Sequence, residues 1–464
     1  MNEKSPFEDV DSVRLNMGHL KIWFTSGMGF FTDAYDLFII GIVLILLTGP
    51  FSTTFHLDTI QAALIGTSAI AAAVIGQLLF GRIADIFGRK KVYGIEATIL
   101  AIGAVLSAFS PSFIFLFLTR FLVGIGIGGD YPVSATIMSE YSNTKDRGKL
   151  IGLVFANQGI GSVVAVAVGV ISVIALPADF AWRFMLAFGA IPAFTVIYLR
   201  RKLPETPRYS LLVNNNKDIT EKAKEVVGVK NAENIKASTK VSTFSIFIRS
   251  YWKTLVITMS TWFMLDMAFY GTGIYSSPIV SSILPSTSLP MKVLIAGLPF
   301  MVGFFGYFTA VALLDKMGRK TIQIQGFFMM AILYIIVSSV MITKGVKVVG
   351  FIIPVDIAFL LYSLTFFFID FGPNQTTFIL PAELFPVRYR TTGHGLSAAA
   401  GKTGAAISTF LFPTLLLVIG IKELLLLLGV ISIIGGITSF FLKEPMRKSL
   451  EDASNEKLVI EVPS

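Results

Sequence analysis

The sequence predicts an all-α membrane protein of twelve transmembrane helices in two six-helix halves, and three observations carry that prediction. Of the 464 residues, 54% are hydrophobic and 14% charged, with a mean hydropathy of +0.75, more apolar and less charged than a soluble domain. Apolar stretches of about 20 residues, long enough to cross a bilayer, recur twelve times. A charged loop motif also returns at a constant offset in the second half of the chain.

Taken in order, the spans fall near 20–47, 59–81, 92–110, 113–138, 150–175 and 182–199, then near 254–282, 292–314, 321–342, 348–373, 393–419 and 422–442. The first carries two aspartates behind a polar, acidic leader and does not read as a cleaved signal peptide. In the fourth, Gly124, Gly126 and Gly129 satisfy G-x-G-x-x-G. That pattern binds dinucleotides only after a strand and inside a βαβ unit, and the run from Phe113 to Met138 is one apolar segment. The organisation expected is an amino-terminal half (1–199), a cytoplasmic linker (200–252), a carboxy-terminal half (253–443) and a cytoplasmic tail (444–464).

Charge sets the orientation. With the amino terminus and every even-numbered loop in the cytoplasm, 31 of the 38 Lys and Arg residues lie on that side. Only Lys292, Lys344, Lys347 and Lys422 fall opposite, while Arg120, Arg183 and Lys402 lie in or at the ends of spans. The positive-inside rule therefore places both termini in the cytoplasm and accounts for the net charge of +9 without nucleic acid. Cysteine is absent, which removes disulfides and thiolate metal sites. His19, His56 and His394 are too far apart in sequence to suggest a metal centre, so neither metal nor cofactor is expected. No nucleophile–base pair outside the spans suggests an enzyme.

The loop GRIADIFGRKK after span two carries Asp85 and Arg89, and LLDKMGRKT after span eight carries Asp315 and Arg319, each 230 residues further on. Glu140 and Arg147 recur 243 residues on as Glu383 and Arg390. Two parallel six-span repeats describe the major facilitator architecture, with a site between the halves near the midplane. The two GRK loops are expected to clamp helix ends by charge and helix-dipole contacts, a gating role. PETPR (204–208) and KEPMRK (443–448) read as matching helix exits.

Ionisable groups inside spans are expensive, and their default reading is functional. Trp262, Asp266 and Tyr270, four apart in span seven, form one stripe on a helix face able to bind an oxyanion or another hydroxylated solute. Asp36 plus 230 is Asp266, and Tyr131 plus 243 is Asn374, so polar groups recur at related places in the two halves. Asp33 and Asp36 share a face of span one, and two such close carboxylates favour proton uptake. Arg120 and Asp130 stand about 15 Å apart along span four at 1.5 Å per residue, so each is expected to meet a partner on another helix. Gln158 and Lys402 complete the set, and for Lys402 a snorkelling role remains the alternative.

The stretches GGDYPVSATIMSEYSNTKDRG, VFANQGIG, TWFMLDMAFYG and FGPNQTTFILPAELFPVRYRTTGHGLSAAAGK together resemble the phosphate:proton symporter family of the major facilitator superfamily, from span one through span eleven. The resemblance implies that Tyr131, Gln158, Trp262, Asp266, Tyr270 and Asn374 hold phosphate. It implies that Asp33, Asp36 and Asp130 form the proton route, with Arg120 and Lys402 at the family's arginine and SAAAGK lysine. It further implies a multi-pass cell-membrane importer of inorganic phosphate with protons, working as a monomer in the lipid bilayer. Two features depart from the family: Asp370 stands where an uncharged Asn is usual, and the central segment is short. A proton-coupled porter of sugars or organic acids, or a nutrient sensor on the same fold, are the alternative expectations.

Overall fold

In the computed structural model, residues 5–48, 55–229, 236–241, 243–283 and 288–461 are described; parts of the expected linker (230–235 and 242) and of the tail (462–464) lie outside them. Twelve long helices make up the body: α1 (Met17–Thr48), α2 (Thr59–Phe87), α3 (Arg89–Ala108), α4 (Phe113–Tyr141), α5 (Arg147–Ala175), α6 (Ala178–Lys202), α7 (Phe244–Ile274), α8 (Leu289–Met317), α9 (Arg319–Val340), α10 (Val355–Leu384), α11 (Val387–Val418) and α12 (Gly420–Ser439). Eleven are long and apolar enough to cross a membrane. The exception, α7, is 31 residues long but interrupts its apolar run with Thr258, Thr261, Asp266 and Thr272.

The described residues before α1, the linker helices, the described tail and the GRK loops lie together on one face of the bundle, referred to below as the basic face. Between the halves, α2 packs on α11 and α5 on α8, an arrangement that the repeat makes symmetric. Glycine spacing permits the closest helix approaches inside a half. A Cβ on Gly124 would stand 2.1 Å from the Ala69 carbonyl oxygen, and one on Gly128 would stand 2.2 Å from that of Ala73. The glycine run of α4 is therefore a packing surface against α2 and, through Gly126, whose Cβ would stand 2.6 Å from the Glu96 carbonyl oxygen, against α3.

Two spans differ from the sequence expectation. The seventh, expected to run to 282, ends at Ile274 and restarts as Ser276–Ile283. The break falls at Tyr275, three residues before Pro278, which has no N–H to give the Ile274 carbonyl and so weakens the helix there. The tenth, expected from 348, is preceded by an antiparallel hairpin of Met341–Lys344 with Lys347–Phe351, turned at Gly345 (φ 61°), and its helix extends to Leu384. The adjacent β-branched Val348 and Val349 in KVVGF favour the strand.

On the basic face the linker supplies helices Pro207–Leu212 and Lys217–Val226 and a strand, Lys236–Thr239, which pairs antiparallel with Leu458–Glu461 of the tail. Arg208 ties these pieces together. Its guanidinium donates to Asp11 (2.7 Å), to Glu451 (2.9 Å) and to the Glu140 carbonyl (2.9 Å). Burial raises the Glu451 carboxyl, but the Arg208 charge and hydrogen bond, together with the Arg390 charge, outweigh it and hold that group below the usual carboxylate range.

Candidate functional site

At the centre of the bundle, α7 turns Trp262, Asp266 and Tyr270 onto one buried face, as their spacing of four requires. From α11, Lys402 reaches into the same place. Its Nζ donates to Asp266 Oδ2 (3.1 Å) and to the Tyr270 hydroxyl (2.8 Å), and lies 4.7 Å from the centre of the Tyr131 ring. Lys402 is only 1% exposed, which removes the snorkelling alternative. The resemblance sets it with the proton-route residues, and in the structure it contacts three of the residues expected to hold substrate.

The network continues across the two halves. Gln158 Nε2 on α5 donates to the Tyr131 hydroxyl on α4 (2.7 Å), while Gln158 Oε1 accepts from Tyr307 of α8 (3.4 Å). Asn374 of α10 donates to the Tyr307 hydroxyl and to Asp370 Oδ1, both at 2.7 Å. All six residues expected to hold substrate thus belong to one buried cluster that both halves build. Tyr307 was not singled out from the sequence, where it is one aromatic among many in an apolar span. Asp370 commits both amide hydrogens of Asn374 together with Tyr307, which leaves the Asn374 carbonyl oxygen as an acceptor. Asp266 Oδ1 accepts no hydrogen bond among the described residues.

Aromatic rings close the cluster on both sides. Towards the basic face, Phe155 stacks on Phe378 with centroids 4.3 Å apart, and Phe30 sits 4.9 Å from Phe378 and 5.0 Å from Tyr131. Towards the opposite face, Phe38 packs on Phe300 (4.8 Å) and stacks on Tyr270 (5.9 Å). Charges enclosed between such walls interact more strongly than in water.

The remaining carboxylates form two groups in the amino-terminal half. Asp36 Oδ1 pairs with Arg120 Nη1 at 3.4 Å, and Arg120 Nη2 donates to the Asp36 carbonyl at 2.7 Å. Asp130 pairs with Arg200 at 2.7 Å, and Arg200 also holds Glu96 at 2.7 Å. Asp33 lines a small cavity with Asp130 and Arg200. Arg120 and Asp130 therefore each meet a partner on another helix. Sequence reasoning missed Arg200 and Glu96: Arg200 closes α6 and reads as an interfacial charge, whereas Glu96 was a readable signal, a lone carboxylate in an apolar span.

Asp85, Arg89, Asp315 and Arg319 make a symmetric clasp on the basic face. Asp85 accepts from the backbone N–H groups of Thr391 (3.3 Å) and Thr392 (2.6 Å) in the first turn of α11. Asp315 accepts from those of Gly148 (3.2 Å) and Lys149 (2.8 Å) in the first turn of α5. Each aspartate satisfies unpaired donors of a helix in the other half. Behind them, Glu140 joins Arg89 (3.2 Å) and Arg390 (2.9 Å), and Glu383 joins Arg319 (3.0 Å) and Arg147 (2.7 Å). Gly88 (φ 102°) and Gly318 (φ 89°) turn the chain between these charged helices, in a conformation that a side chain would strain.

Twelve helices in two related halves around a buried, two-sided polar cluster define a membrane transporter of the major facilitator fold, not an enzyme. The sugar (and other) transporter family matches residues 23–456. The chain is 38% identical to the probable inorganic phosphate transporter 1-6 of Arabidopsis thaliana, over 96% of its own length and 95% of the relative's. It is 36% identical to the low affinity inorganic phosphate transporter 1 of Petunia hybrida, over 96% and 94%. Among solved structures, it is similar in fold to the proton:xylose symporter XylE bound to 6-bromo-6-deoxy-D-glucose, with a TM-score of 0.80 at 19% identity, covering 95% of this chain and 99% of that one. The protein belongs to the sugar (and other) transporter family and, within it, to the group of these inorganic phosphate transporters.

Proposed function

We propose that the protein is a proton-coupled symporter that imports inorganic phosphate by alternating access, with the basic face in the cytoplasm and a single chain as the functional unit. The observation that carries this reading is the buried Lys402–Asp266 pair inside a cluster of hydroxyl, amide and indole groups. A lysine offers an anion a counter-charge, but here Asp266 already neutralises it. When monobasic phosphate engages Lys402, the three groups together carry one net negative charge in an enclosed space. A proton taken up by Asp266 restores neutrality, so anion and proton enter the site together. Tyr131, Tyr270 and Trp262 donate to phosphate oxygens, while the Asn374 carbonyl oxygen accepts from a P–O–H group.

Asp36, held by Arg120, Asp130, held by Arg200, and Asp33 beside Asp130 in the small cavity serve the proton's route between site and solvent. The clasp formed by Asp85, Arg89, Asp315 and Arg319 is the cytoplasmic gate, closed in this arrangement. A neutral sugar would gain nothing from Lys402 and would leave its pairing with Asp266 undisturbed, so this site favours an anion. This occluded, charge-paired site favours transport over sensing. Uptake of labelled phosphate into proteoliposomes tests the proposal: accumulation should follow an imposed inward proton gradient, and accumulation indifferent to that gradient would refute the coupling.

A further inference from the structure

A second cavity, of about 370 Å³, opens on the basic face where the linker strand, the start of α7, the end of α10 and the tail meet. Lys240, Lys443 and Lys457 line it from three different elements, beside Ser250 and Asn455. All three lysines are exposed. None makes an ion pair among the described residues, because the neighbouring carboxylates are already engaged. Glu456 accepts from Thr239 (2.6 Å) and from the Val387 N–H (3.0 Å), Glu451 is held by Arg208, and Glu444 accepts from the Arg319 and Lys320 N–H groups. The cavity therefore presents three lysines with no carboxylate partner of their own among the described residues.

Its setting points to the edge of a bilayer. On the adjoining face of α7, Arg249 and Lys253 are exposed and extend the positive patch. Ile246 (42%), which lines the cavity, exposes apolar surface at its rim, while Trp252 (52%) and Val256 (53%) expose theirs further round α7, and Lys253 Nζ lies 5.7 Å from the Trp252 ring. An exposed tryptophan beside basic residues at a helix end marks the level of lipid headgroups. Basic pockets at that level bind phosphorylated headgroups.

We propose that this cavity binds the phosphorylated headgroup of an anionic membrane lipid, with Lys240, Lys443 and Lys457 on the phosphate and the acyl chains leaving past Ile246 at its rim. Soluble phosphate esters share the headgroup chemistry, but only a lipid also uses the apolar face of α7. A bound headgroup links the linker, the tail and the exit of α12, three segments that meet beside the clasp.

The test is lipid retention by the purified full-length protein, read by native mass spectrometry after incubation with phosphatidic acid or phosphatidylcholine. The wild type is expected to retain phosphatidic acid in preference to phosphatidylcholine. Combining Lys240→Gln, Lys443→Gln and Lys457→Gln should weaken that retention by roughly 100-fold, and each substitution alone by roughly fivefold. A control carrying Lys217→Gln, Lys222→Gln and Lys316→Gln removes the same charge elsewhere on this face and should retain the lipid. Because the single variants lie on separate elements, they keep the test open even if the triple variant folds poorly. Glycerol 3-phosphate should not displace the lipid at equal concentration. Undiminished retention by the single variants, equal loss in the control, or displacement by glycerol 3-phosphate at equal potency would each overturn the proposal.

Discussion

Lys402 Nζ lies 3.1 Å from Asp266 Oδ2, joining α11 to α7 at the centre of the bundle, and both side chains are shielded from solvent. Removing one partner of such a pair strands the other charge at a cost of about 3–5 kcal/mol. Lys402→Gln is therefore expected to weaken phosphate binding by at least about 100-fold, measured by equilibrium binding to purified protein. Binding within a few-fold of wild type would separate Lys402 from the anion.

Asp36 does not touch this cluster and pairs with Arg120 instead. Asp36→Asn should leave phosphate exchange down its own gradient largely intact while abolishing accumulation driven by a pH gradient. Counterflow and gradient-driven uptake in the same vesicles distinguish the two, and gradient-driven uptake at the wild-type level would exclude Asp36 from coupling.

The clasp makes a symmetric prediction. Asp85 and Asp315 each accept two backbone N–H bonds from a helix of the other half, and charge-assisted hydrogen bonds contribute about 1.5–3 kcal/mol each. Asp85→Asn and Asp315→Asn should each shift the population towards a conformation open on the basic face, and by similar amounts. Interspin distances between labels placed on that face report this opening; a shift in one variant alone would break the symmetry argument.

Orientation is tested with single cysteines, which the cysteine-free chain allows without further changes. Ser5→Cys and Asn215→Cys should react with an impermeant reagent only from the cytoplasmic side. Reaction of either from outside intact cells would invert the topology.

Much of the fold was legible because the repeat writes it twice. The 230-residue offset from Asp85 to Asp315 and the 243-residue offset from Glu140 to Glu383 anticipated a clasp with matching halves. The substrate candidates were legible because each is a polar group in an apolar span, and the cluster gathers all six. Pairing was harder to read. Arg200 meets Asp130 and Glu96 on helices 70 and 104 residues away, and no local spacing encodes those contacts. Lys402 was ambiguous because a lysine in a span can snorkel or pair, and only the position of Asp266 across the helix interface decides between them. The hairpin before α10 was missed because a short run of β-branched residues beside a long apolar stretch merges with it in any count of hydropathy.

The central claim is that a proton on Asp266 accompanies the anion on Lys402, and competition between phosphate and sulfate tests it most directly. Sulfate resembles phosphate in size but has no hydroxyl to give the Asn374 carbonyl oxygen, and leaving a buried acceptor unpaired costs about 1–3 kcal/mol. In isothermal competition on purified protein, the account predicts that sulfate displaces phosphate at least about tenfold more weakly. It also predicts that phosphate binding strengthens as pH falls from neutral, and that Asp266→Asn loses this pH dependence along with uptake. Sulfate displacing phosphate with equal potency would contradict the account.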